Sequence, residues 1–322
     1  MPRLHPDVND QIVWLLNETS GTYQNTGQLL PNDPSTQLST TGSIISTGTG
    51  IFTTNCPQIP GTSNFPVGSS ATRNYIAGAK NVLINPPITL SCWVYLRSYT
   101  TTGNNLGLIL KEYRDSGITN SWSAPFLAIG IYMLNSNSGG DWYGAVAINA
   151  TTQAIFTVTD FPIPLGVWSH IGMTYDGTNI RTYLNGCQMI YYSGSTQMNT
   201  VSASALSYTD GTNGFGFWKA GAITATGSAN KEEPNCQIQD VRIANVARPL
   251  SYFKRIYQSG ALPLKAGTFS SNQFFKLRAY DLSCSTPTPV IWIDTQVSLA
   301  NAPAFPCSGP YSAPEVLDTW YQ

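Results

Sequence analysis

The chain has 322 residues, enough to bury a sizeable core in one large domain with an appendage. Only 10% of its residues are charged, against roughly 25% in an average globular protein, so Thr, Ser, Asn, Gln and Gly must build most of the polar surface. The formal net charge is −1 with no basic or acidic run, which argues against nucleic-acid binding by phosphate neutralisation, and no stretch approaches the length of a membrane span.

In chain order, the first element is an apolar run over residues 11–16 that leads into a turn at Glu18, Thr19, Ser20 and Gly21. Residues 25–70 are rich in Ser, Thr, Gly and Pro, and read as long surface loops with at most one short strand. The clearest strand spans residues 88–96, with Ile88, Leu90, Cys92, Val94 and Leu96 on one face and Trp93 and Tyr95 on the other. In a two-sheet protein the first set belongs to the core. Residues 106–111, 126–133, 142–149 and 154–159 are further strands, separated by Gly, Asn and Ser clusters.

The stretch that organises the chain is 168–186. Ile171, Met173 and Tyr175 alternate with His170, Gly172 and Thr174, the period of a half-buried strand. Asp176, Gly177, Thr178 and Asn179 supply turn chemistry, because Asp, Asn and Gly tolerate the backbone of a tight hairpin. Ile180, Thr182 and Leu184 then alternate in a returning strand, Asn185-Gly186 signals another hairpin, and residues 188–192 are a third strand. Residues 193–234 read as loop, with an aromatic patch of Phe215, Phe217 and Trp218. Ser251 is expected to cap a short helix over 252–259 that Gly260 stops, with Phe253, Ile256 and Tyr257 on one face.

The segment 168–186 resembles the signature W-x-H-hydrophobic-x-x-T-Y-D-G-x-x-hydrophobic-x-x-Y-hydrophobic-N-G of laminin-G-like, concanavalin-A-like β-sandwiches. Residues 88–94 are similar to that family's F-T-hydrophobic-S-A-W-V strand, and 238–243 to its closing I-D-E-V-R-I strand, with Gln239 at the Asp. The resemblance covers roughly residues 8–260. It implies an all-β fold: a two-sheet antiparallel jelly-roll sandwich with one short helix, followed by a Pro-rich C-terminal extension at 261–322. Pentraxins, a related branch, pair two cysteines at places held here by Ser91 and Gly172, so that disulfide is not carried over.

The fold hosts lectins, adhesion modules, glycosidases and virion parts, so chemistry must be argued from residues. The glucanase branch carries its carboxylates as E-x-D-x-E on one strand, and no such run is present. Glu232 and Glu233 are adjacent, which on a strand sends them to opposite faces. The two histidines are His5 near the start and His170, the latter read as a packed strand residue. No catalytic residue is assigned and the chain is read as not an enzyme. Calcium is the family's usual metal, and Asp141, Asp176 and Asp210 are the loop candidates for it, against the simpler reading of Asp-Gly as a turn. Trp142, Tyr143, Phe215, Phe217 and Trp218 lie in or beside predicted loops and are candidates for a sugar platform, since a pyranose stacks its apolar face on an aromatic ring.

The six cysteines form no C-x-x-C pair, so a structural zinc site is unsupported. Cys92 is expected as a buried free thiol, and Cys284 with Cys307 is the first choice for a disulfide. The opening residues contain no apolar signal core, so the chain is expected to be made in a cytoplasm without export by the common route. With the low charge, this suits a virion structural protein, such as a phage capsid decoration or tail component. Its expected partners are other virion subunits or further copies, met through residues 261–322, and a host surface polysaccharide. The alternative is a soluble glycan-binding or adhesion module outside a virion.

Overall fold

The computed structural model describes residues 4–19, 21–41, 44, 48–60, 65–66, 75–79, 84–98, 105–112, 126–132, 141–147, 153–158, 163–193, 196–203, 218–220, 230–231, 235–261, 276–281 and 288–294. The chain divides into two compact units, Met1–Ala261 and Leu262–Gln322. The second contains an antiparallel pair, Lys276–Asp281 with Thr288–Asp294.

The first unit is an antiparallel β-sandwich. Its first sheet runs in the order Asp10–Trp14, Asn235–Ala244, Ile88–Leu96, Trp168–Tyr175, Asn179–Leu184, Cys187–Gln188. The short strands Gln58–Pro60 and Val201–Ser202 add to Asn235–Ala244 and Asn179–Leu184. The second sheet runs Gln153–Val158, Asp141–Ala147, Phe126–Tyr132, Asn105–Glu112, Trp218–Ala220, Tyr75–Gly78, Leu38–Thr41, Thr22–Tyr23. The strands read over 88–96 and 168–184 form as expected, with Ile171 opposite Cys92 and Tyr175 opposite Ile180. The third strand there is shorter: Cys187–Gln188 pairs with the hairpin, and Tyr191–Ser193 turns away to pair with Thr196–Met198.

The sheets meet through Ile12, Trp14, Leu90, Cys92, Val94, Ile171, Met173 and Ile243 on one side and Tyr23, Leu38, Ile76, Ile109 and Trp218 on the other. Trp14 and Trp218 touch edge to face across the core, with centroids 6.3 Å apart. Gly144 lets the sheets approach, since a Cβ there would collide with Met173 and Thr182.

Residues 25–70 carry more than the one short strand expected. They contribute Leu38–Thr41, Gln58–Pro60 and Phe65–Pro66 as strands, a 3₁₀ turn at Pro34–Thr36, and the buried side chains of Leu38, Cys56 and Ile59. Part of this region covers the sheet edge. The Asn25 carboxamide oxygen accepts from Val13 N (2.9 Å), while Gln28 N and Leu29 N donate to the carbonyls of Asp10 and Gln11. An edge strand that would otherwise present open backbone groups is thereby satisfied.

The outer face of the first sheet is also buried. The helix Leu250–Ala261 lies on it, and Tyr252, Phe253 and Ile256 form a second core with Trp93 and Tyr183. Phe253 stacks on Tyr183 at 3.8 Å between centroids, and Tyr257 on Trp93 at 6.0 Å. Each fully buried Phe or Ile contributes about 1.5–3 kcal/mol by leaving water. The helix starts earlier and ends later than expected. Ser251 falls inside the first turn, and Gly260 lies within the helix, where a Cβ would run into the Trp93 ring. Gly260 is there for close approach and does not terminate the helix.

A bulge in the closing strand sits beneath this layer. Gln239 pairs with Trp93 and Arg242 with Ser91, so one extra residue is accommodated, and Asp240 takes a positive φ of 52°. The buried Asp240 carboxylate accepts from Arg242 Nε at 3.0 Å. Asp10 completes the group, accepting from Arg248 Nη2 (2.8 Å) and Tyr252 Oη (3.1 Å), with Arg242 Nη1 at 3.6 Å. Arg248 also pairs with Asp7, and Arg242 Nη2 donates to the Leu4 carbonyl, which straps the N-terminal segment over the helix start.

Candidate functional site

The hairpin between Trp168–Tyr175 and Asn179–Leu184 places Asp176 at its tip. Asp176 Oδ1 accepts from Thr178 N (3.0 Å), Thr178 Oγ1 (2.9 Å) and Asn179 N (2.7 Å), while Oδ2 accepts from Arg181 Nη1 (2.7 Å). Partial burial alone would raise its pKa. The Arg181 guanidinium and the turn donors outweigh that and hold the carboxyl well below the usual carboxylate range. With both oxygens engaged by protein donors, Asp176 does not fit a calcium ligand as it stands. Asp141 opens a strand of the second sheet, and Asp210 lies outside the described residues. Among the described residues no group of three or more His, Cys, Asp or Glu is placed to hold a metal ion.

The proposed sugar platform is redistributed. Trp142 and Tyr143 belong to the strand Asp141–Ala147, in register with Ile131 and Gly130 on one side and with Val158 and Thr157 on the other. Phe215 and Phe217 lie outside the described residues. Trp218 is corrected: it begins the central strand Trp218–Ala220, between Asn105–Glu112 and Tyr75–Gly78, and its indole is buried against Trp14. A ring used up in core packing offers no face to a sugar. Cys284 and Cys307 also lie outside the described residues.

A different aromatic pair stands at the surface. Trp168 opens its strand directly opposite Tyr95, and their rings lie 5.7 Å apart at 53°. Both are partly exposed, whereas Trp93 and His170, the next pair along the same face, are buried beneath the helix. The adjoining turn projects Leu165 (41% exposed) and Val167 (53% exposed). Gly166, at φ 70°, passes close to the Tyr95 hydroxyl and donates its N–H to the Leu96 carbonyl. The sequence signal was present, since Trp168 opens the organising stretch and Tyr95 falls on the face assigned away from the core.

His170, three of the cysteines and Gln239 are committed to structure. His170 is buried between Trp93 (5.2 Å) and Phe253 (6.2 Å). Its pKa is lowered to about 3, chiefly by burial, so it is a neutral packed residue at ordinary pH. Cys56, Cys92 and Cys236 are buried free thiols whose pKa values burial raises, that of Cys236 to about 12. Ser91 and Gly172, at the pentraxin disulfide positions, face each other in the ladder. Gln239 is buried and holds a loop: its Oε1 accepts from Phe52 N and its Nε2 donates to Thr53 Oγ1.

The profile of the concanavalin A-like lectin/glucanases superfamily matches residues 70–249. The chain belongs to this superfamily. Solved structures of similar fold include one of botulinum neurotoxin type C, a toxin whose cell entry is dependent upon interaction with two ganglioside molecules, at TM-score 0.50 and 12% identity, covering 85% of this chain and 59% of that one. Another is the serotype D/C neurotoxin binding domain, at TM-score 0.49 and 12% identity, covering 85% and 57%. A third is domain 4 of an arabinanase from Geobacillus stearothermophilus in complex with arabinotriose, at TM-score 0.48 and 11% identity, covering 78% and 98%. The chain therefore spans at most three fifths of these neurotoxin chains. At such identities these likenesses speak for the fold alone. No curated protein matches the chain.

Proposed function

We propose that the chain is a non-enzymatic virion structural protein, a phage capsid decoration or tail component, that displays a lectin-like module binding a surface polysaccharide. The observation that carries the binding reading is superfamily membership combined with the fate of the reactive groups. Asp10 and Asp240 are tied to buried arginines, and His170 is buried and neutral, while an aromatic pair stays at the surface. Botulinum neurotoxin type C, whose cell entry depends on interaction with two ganglioside molecules, lends the reading a precedent on a similar fold. Support for the virion role comes from the 10% charged composition and from the separate unit Leu262–Gln322 beyond the family match, the part that would contact other virion subunits or further copies.

Two measurements on the full chain test this: its mass in solution by light scattering, and its binding to an array of microbial surface polysaccharides. Assembly above the monomer together with polysaccharide binding is expected. A monomer that binds no arrayed glycan overturns the proposal, and a monomer that binds one retains the lectin reading without the assembly role.

A further inference from the structure

The geometry points to the Tyr95–Trp168 ledge as a carbohydrate subsite that takes the apolar face of a neutral pyranoside, on the helix-bearing sheet of the sandwich. The inference rests on the glycan-binding reading above and gives it a location.

Next to these rings the sheet face is closed. Trp93, His170 and Tyr183 lie under Phe253, Ile256 and Tyr257, and Phe52 closes on Trp93 edge to face at 5.9 Å. The cover stops one residue pair short, so the face ends in two rings held at fixed separation by direct register on neighbouring strands. Rings mounted on paired strands lose little freedom when a ligand arrives, which favours a shallow binding surface.

The polar atoms of the ledge decide what it suits. Among the described residues, neither the Tyr95 hydroxyl nor the Trp168 Nε1–H has a hydrogen-bond partner, and the exposed Arg97, two positions along from Tyr95, has no side-chain partner either. Tyrosine and tryptophan that serve only packing leave the polar end to water. Here two rings, one bearing a hydroxyl and one an N–H, lie side by side at one end of a sheet, and the exposed Arg97 follows just past the strand end. A pyranose has the matching form: a C–H face for the rings and a rim of hydroxyls that accept from the indole and guanidinium and exchange hydrogen bonds with the phenol. The only charge among the described residues 163–168, 94–98 and 235–237 is that of Arg97, so no carboxylate there opposes a hydroxylated ligand.

The test uses the full chain with Tyr95→Ala and, separately, Trp168→Ala. Each is compared with wild type for binding to whichever polysaccharide or methyl pyranoside the array identifies, by titration calorimetry and saturation-transfer NMR. Loss of about tenfold in affinity, the size of one good aromatic contact, is expected for each variant with an unchanged melting temperature for Tyr95→Ala. Trp168 also packs against the helix core, so if Trp168→Ala melts early, Tyr95→Ala alone carries the decision. Wild-type binding that survives Tyr95→Ala undiminished overturns the subsite and leaves the lectin reading standing. No wild-type glycan binding overturns both. A change of oligomeric mass in Tyr95→Ala without loss of glycan affinity assigns the ledge to a subunit contact and overturns the subsite.

Discussion

Gly172 lies directly beneath the ring of Phe253. A Cβ at position 172 would sit within the van der Waals envelope of that ring, and a second glycine, Gly260, makes the same accommodation for Trp93 from the helix side. The helix and the sheet are thus close because each contributes one residue without a side chain where the other contributes an aromatic ring.

Replacing Gly172 with Ala is expected to cost about 1–3 kcal/mol, the usual range for overpacking a filled core. Gly260→Ala sets two effects against each other. Helix propensity favours Ala by about 1 kcal/mol, but the clash with Trp93 involves a ring clamped by Phe52 and Tyr257, and is expected to win. Urea denaturation of both variants checks this, and a Gly260→Ala protein more stable than wild type would refute the close-packing account.

The ion group beneath the helix start should be sensitive to removal of one member. Asp10→Ala leaves Arg242 and Arg248 facing each other in a buried setting, with Arg248 retaining the half-exposed Asp7 and the Tyr252 ring and Arg242 retaining Asp240. Breaking such a pair from one side costs about 3–5 kcal/mol. Chemical denaturation should show that loss, and limited proteolysis should show earlier cleavage within residues 4–9.

His170 predicts an acid dependence. Its pKa falls from an ordinary 6.5 to about 3 on folding, chiefly through burial. Between those values the unfolded chain binds the extra proton, so stability rises with pH across this window. The contribution is complete above pH 6.5 and is lost as pH falls toward 3. At pH 4.5 the loss from this group alone is about 2–3 kcal/mol. A His170→Gln variant, which does not titrate, should show a shallower fall in melting temperature between pH 7.5 and 4.5, and an equal fall would exclude His170 as the source.

The buried thiols predict selective reactivity. Cys56, Cys92 and Cys236 are buried with raised pKa values, and a protonated buried thiol reacts poorly. They are expected to resist a disulfide reagent in the native protein and to react at once in denaturant. Rapid native labelling of any of these three, identified by peptide mass, would contradict the packing described.

Much of the sandwich was legible because its strands alternate strictly. Ile88 to Leu96 and Ile171 to Tyr175 announce their faces by period two, and Asp176-Gly177 announces the turn. The region 25–70 was not legible, because its core residues, Leu38, Cys56 and Ile59, stand singly among Ser, Thr and Pro and create no period. Gly260 misled for a related reason. A glycine near a helix end reads as a stop, and only the position of Trp93, far away in sequence, shows that it marks an approach. Trp218 misled because its Phe-Gly-Phe-Trp setting looks like an exposed loop, while its partner Trp14 lies about 200 residues earlier. For the candidate site, the turn role of Asp176 was readable locally. The Tyr95–Trp168 pairing required knowing which strands are neighbours and where the helix stops.

The pairing of Asp10 with Ala244 also bears on how the sandwich can be reused. Its first and last full strands are neighbours, so the backbone enters the sandwich and leaves its last strand at adjacent points, before the helix Leu250–Ala261. A host chain could receive residues 4–261, which keep the N-terminal strap and the helix, as a cassette in an exposed turn. The same adjacency makes the domain a natural candidate for circular permutation, with new termini opened in the Asp176–Asn179 turn.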